Sequence, residues 1–119
     1  MRDSDFARKS YAFAIRIVNL TKWLHGKNEY LLSKQVLRSG TAIGALIREA
    51  EHAESDADYV HKLNIALKEA NETEYWLQLL KDTEYLDEKM YESIATDCRE
   101  LLKLLISSIK TLKTKKNNQ

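Results

Sequence analysis

A chain of 119 residues, 44% hydrophobic and 31% charged, is long enough for one domain around one core and too apolar for a disordered polymer. It contains no proline, three glycines and one cysteine, so helices can run long almost everywhere and no disulfide can close within it. The formal net charge of +1 hides a polarised layout: residues 1–48 carry nine Lys/Arg against three Asp/Glu, residues 49–100 five against fifteen, and residues 101–119 five against none.

The opening residues Met1, Arg2, Asp3, Ser4 and Asp5 are acidic and polar where a signal segment would be apolar. The densest apolar run, Leu101 to Ile106, is interrupted by Lys103 and is too short to cross a bilayer. A soluble, cytoplasmic protein with no membrane partner is the expectation.

Helix 1 is expected over about 5–25. Phe6, Phe13, Ile17, Leu20 and Leu24 recur at the spacing of one buried helical stripe, which Ala14, Val18 and Thr21 widen. Gly26 suits a left-handed terminator. Helix 2 is expected over 28–53, with Asn28 as N-cap and a stripe of Leu32, Val36, Ser39, Ile43, Ile47 and Ala50. Gly40 and Gly44 lie inside it. Glycine there costs up to about 1 kcal/mol against alanine, and close approach of a neighbouring helix is the natural compensation. A break at Ser39-Gly40 is the competing reading.

Helix 3 is expected over 55–83. Ser55 and Asp58 form a capping box with Asp in the usual Glu position, and Val60, Leu63, Leu67, Ala70, Leu77 and Leu80 form the stripe, interrupted at Glu74. Helix 4 is expected over 87–113, with Met90, Ile94, Cys98, Leu101, Leu105, Ser108 and Leu112 inward and a frayed Lys- and Asn-rich tail. Four such helices joined by short turns make an all-α, antiparallel, up-down-up-down four-helix bundle, filling residues 1–119 as a single domain. Leu102, Leu104, Ile106, Tyr75, Trp76 and Tyr85 exceed what one core can use, so the chain should self-associate.

The residues offer little for catalysis. Glu49-Ala50-Glu51-His52 fits the Glu-x-x-His pattern of di-iron bundles, and Asp58 to His61 nearly does. Helix 1 has no Asp or Glu between Phe6 and His25, so one required ligand is missing. Cys98 falls on an apolar stripe, where cysteine behaves as a small hydrophobe. His25, His52 and His61 fall near helix ends. An enzyme, a metal centre, a cofactor and a small-molecule substrate are therefore not expected.

The remaining signal is basic. Lys34, Arg38 and Arg48 project from one side of helix 2 with Thr41 and Ala45 between them, and Lys9, Arg16 and Trp23 form a row on helix 1. Such rows can hold phosphates. They can equally be neutralised by the acids of helix 3, within the fold or on a neighbouring subunit.

The run from Leu32 through Ser39-Gly40-Thr41 to Ala45, the segment Arg48-Glu49-Ala50-Glu51-His52-Ala53, and the stretch His61 to Leu77 closely resemble the bacterial 23S ribosomal RNA intervening-sequence proteins. The resemblance covers nearly the whole chain. It implies a left-handed bundle that assembles into a ring, a homopentamer being plausible, with helix 2 unbroken through Gly40 and Gly44. A related bundle is the accessory protein of diversity-generating retroelements, which works with a reverse transcriptase and binds nucleic acid. The resemblance brings no catalytic residue with it. The reading that results is a ring-forming oligomer binding RNA or a ribonucleoprotein through Lys9, Arg16, Lys34, Arg38 and Arg48. The alternatives are a protein-interaction scaffold without nucleic acid and, remotely, a metal-binding bundle.

Overall fold

A computed structural model describes residues 4–117. The chain forms α1 (Ser4–Gly26), α2 (Leu31–Glu51), α3 (Asp56–Asp82) and α4 (Glu88–Asn117), with no strand among the described residues. Successive helices run in opposite directions. Ser10 and Ile17 of α1 meet Gly44 and Gly40 of α2, and Arg38 and Glu49 of α2 meet Glu69 and Lys62 of α3. Cys98 and Lys81 likewise tie α4 and α3 together in reverse order. The result is a rod of 53 × 22 × 21 Å.

The inward stripes follow the expected spacing at most positions, although Ser33, Tyr59 and Ala66 are fully inward where Leu32, Val60 and Leu67 are only partly buried. Phe6, Phe13, Ile17, Leu20 and Leu24 of α1 are buried, with Val36, Ile43, Ile47 and Ala50 of α2. Leu63, Ala70, Leu77 and Leu80 of α3 and Ile94, Cys98, Leu101 and Leu105 of α4 complete the core. At the step where the α3 stripe is broken by Glu74, the inward position is Thr73. Its hydroxyl lies 2.9 Å from Ser39 Oγ and donates to Glu69 O at 2.7 Å. A hydroxyl pair buried in a stripe of hydrocarbon favours this register of α2 against α3, because a slip would take Ser39 Oγ away from Thr73 and leave it facing hydrocarbon.

The helix ends depart from expectation in three places: the turn between α1 and α2, the end of α2 and the end of α4. Asn28 is not the N-cap of α2; it sits in the left-handed region at φ 63, which asparagine tolerates better than most residues. Gly26 stays helical and the left-handed step falls two residues later. The cap of α2 is the carboxylate of Glu29, which accepts from the backbone N–H of Leu31 at 3.1 Å, Leu32 at 3.0 Å and Ser33 at 2.7 Å. Three of the four orphan donors of the helix are thereby satisfied by one buried side chain. Burial opposes the charge of Glu29, but the N–H groups of Leu32, Ser33 and Leu31 outweigh it and hold the carboxyl below its ordinary range. At α3 the Ser55 half of the expected capping box forms, Ser55 Oγ accepting from Asp58 N at 3.0 Å, while the Asp58 carboxylate reaches one residue before the N-cap and accepts from Glu54 N at 3.2 Å. Helix α2 stops at Glu51 with His52 as its C-cap, two residues short of the expected end. Helix α4 continues to Asn117, beyond the expected Lys113.

Gly40 and Gly44 set the distance between α1 and α2. A Cβ built on Gly40 would lie 2.7 Å from Ile17 Cγ1 and 3.0 Å from two further Ile17 atoms. One on Gly44 would lie 3.3 Å from the Ser10 carbonyl oxygen. The helix runs straight through both positions.

Candidate interaction surfaces

Helix α1 shows different chemistry on its two flanks. Toward α4 it presents Lys9 and Arg16. Lys9 Nζ lies 3.3 Å from Glu100 and 3.7 Å from Asp5. The Arg16 guanidinium donates to Asp97 at 2.7 Å, to Ser93 O at 3.1 Å and to Ser93 Oγ at 2.8 Å. On α2, Arg38 bridges Glu69 at 3.2 Å and Glu72. Three of the five basic residues singled out by spacing thus spend their charge on α3 and α4 of the same chain. The structure does not gather the five into one patch.

Lys34 and Arg48 remain exposed, with no carboxylate partner among the described residues, and Lys22 of α1 shares that condition. These unpaired cations belong to the outer side of α1 and α2. Along the same side of α1 run Tyr11, Ile15 and Val18, exposed to 60%, 49% and 38%. Their spacing of four and three places them in one row, which Lys22 continues. Tyr11 shares a surface recess with Gly44, Ala45 and Arg48, where the closeness of the two helices leaves the α2 side low. Val18, expected inside, belongs to this outer row. Of the surplus residues on α4, Leu102 and Leu104 are half-buried against the core and only Ile106 is exposed. The longest exposed apolar row is therefore on α1, and the four-three spacing of Tyr11, Ile15 and Val18 was the signal that could have located it.

The residues with chemical potential are committed elsewhere. Glu49 pairs with Lys62 at 3.0 Å, and Glu51 and His52 are exposed at the end of α2. Among the described residues no group of three His, Cys, Asp or Glu side chains is placed to hold a metal ion. Cys98 is buried and its thiol faces Ala70 O at 3.5 Å. Burial, reinforced by the charge of Glu74, pushes that thiol up to about 12, so almost none of it is thiolate at neutral pH. No helix among the described residues is long and apolar enough to cross a membrane.

Residues 2–107 match the family model of the 23S rRNA-intervening sequence protein. A comparison with curated proteins finds no match. Among solved structures, the chain is similar to a protein of unknown function from the S23 ribosomal protein family of Bacteroides thetaiotaomicron. The two are 61% identical, superpose with a TM-score of 0.90, and overlap over 92% of this chain and 99% of that one.

Proposed function

Since this chain belongs to the 23S rRNA-intervening sequence protein family, we propose that it works without catalysis, as the subunit of a homo-oligomeric ring joined through the outer face of α1 and α2. The observation that carries this reading is the row Tyr11, Ile15 and Val18, flanked by the unpaired cations Lys22, Lys34 and Arg48. An exposed apolar row on a small domain is a contact surface in waiting. The carboxylates of Glu51, Glu54, Asp56 and Glu84 make no ion pair among the described residues. A neighbouring copy can bring such acids to the cationic rim, giving a heterologous contact that closes into a ring, a homopentamer being the expected closure. Native mass spectrometry of the full chain tests the assembly: a single closed oligomer supports it, and monomer alone at tens of micromolar ends it.

The second reading is RNA binding, favoured by the same three unpaired cations and by the family's description. Lys9, Arg16 and Arg38 contribute little to it while they hold α3 and α4. Structured RNA titrated at roughly 50 and 200 mM salt separates the readings, since phosphate contacts lose affinity steeply over that range. Saturable binding that weakens with salt and on Arg48→Glu supports RNA. Its absence leaves the cations to the protein neighbour.

A further inference from the structure

The seam between α1 and α4 is open at one end, where a groove of about 470 Å³ lies between Trp23 and Met90. That volume falls within the range of small-ligand sites. Leu20, Leu86 and Ile94 form its buried apolar floor. No carboxylate lines it, although α4 carries Glu88 and Glu92 on adjacent positions. Four polar residues line it, Arg16, Asn19, Lys89 and Ser93. Lys89 and Asn19 have no hydrogen-bond or ion-pair partner among the described residues, and Arg16 is held at the rim by Asp97 and Ser93. Lys27 Nζ, 5.2 Å from the Trp23 ring centroid, adds positive charge at the same mouth.

We infer that this groove binds a nucleotide, its base against the Trp23 indole and its phosphate toward Lys89. Each part of that ligand answers to one feature. A flat ring covers the apolar floor and stacks on the indole, which accepts any base because every base has a π-face. The Asn19 amide offers a donor and an acceptor in one plane, the pairing that the edge of a heterocycle provides. The free ammonium of Lys89 supplies the counter-charge for a phosphate. A fatty acid would fill the floor and satisfy Lys89 but leave the Asn19 amide facing hydrocarbon. A sugar phosphate would leave Trp23 and the floor wet. The groove opens toward α4 and the Tyr11 row toward α2, and Asn19, one turn beyond Ile15, lies on the border between them.

Free nucleotides and an unpaired nucleotide in single-stranded RNA share this chemistry, and calorimetric titration of the full chain with AMP and with an adenine hexaribonucleotide distinguishes them. Similar affinity for both indicates the free nucleotide; affinity for the hexamer roughly tenfold higher indicates RNA. In either case Lys89→Glu, at an exposed position, weakens binding by roughly tenfold or more, and adenosine binds more weakly than AMP by a similar factor. In the Trp76→Phe background, Trp23 fluorescence is quenched with the same midpoint. The inference is overturned if neither probe saturates, or if binding is indifferent to Lys89→Glu. Oligomers seen by mass spectrometry together with no AMP or hexamer binding would refute the groove alone.

Discussion

The two flanks of α1 are closed by opposite means. Against α2 the contact is backbone-close, made by glycines at 40 and 44 meeting Ile17 and Ser10. Against α4 it is made by the polar clasps Lys9–Glu100 and Arg16–Asp97, with a groove left where the clasps end. Shape complementarity between small residues is unforgiving of added atoms, whereas partly exposed ion pairs are individually weak and screened by salt. One flank should therefore govern stability and the other tolerate substitution.

The largest expected effect is at Gly40. Alanine there drives a methyl into Ile17, a fully buried β-branched residue with little freedom to turn aside. Overpacking of this kind costs about 1–3 kcal/mol, against a helix-propensity gain of up to about 1. Urea denaturation should show a lower midpoint at unchanged slope; a stabilised Gly40→Ala would break the comparison at its stronger end.

Next comes the turn that delivers α1 to α2. Glu29→Gln should cost about 1 kcal/mol at neutral pH, as loss of a good cap does. Because the folded carboxyl titrates below the ordinary value of 4.5, its contribution is full above that value and fades as pH falls through the lower folded one. The gap between wild type and Glu29→Gln should close in acid, which stability curves at several pH values will show. Arg16→Ala, on the clasped flank, should cost less, about 0.2–1 kcal/mol, since both partners are roughly two-fifths exposed. Raising salt should shrink that difference. Gly44→Ala should be smallest, within about 0.5 kcal/mol, because its methyl asks Ser10 to move only by tenths of an ångström and regains helix propensity.

How much of this was legible beforehand follows from what repeats along the chain. Phe13, Ile17 and Leu24, or Cys98, Leu101 and Leu105, announce their burial through period alone, so the bundle and its inward faces could be read directly. The tightness at Gly40 was also inferable, since glycine mid-helix needs a reason. The ion pairs were not. Whether Arg38 faces solvent or Glu69 depends on how α2 is rotated against α3, which periodicity leaves free. The Glu29 cap was missed because Asn28 is the commoner capping residue, and a glutamate capping the next three N–H groups leaves no residue-type signature. The α1 row escaped notice because Val18 resembled core and Tyr11 and Ile15 stood alone until α2 was placed beside them.

The assignment of the outer α1/α2 face to assembly is most directly tested by sedimentation equilibrium of the wild type beside Ile15→Glu, with helicity checked by circular dichroism. Ile15 is half exposed, so the charge disturbs little within the subunit. The account predicts an oligomeric wild type and a folded, monomeric or much weakened Ile15→Glu. A variant that assembles as tightly as the wild type would contradict it.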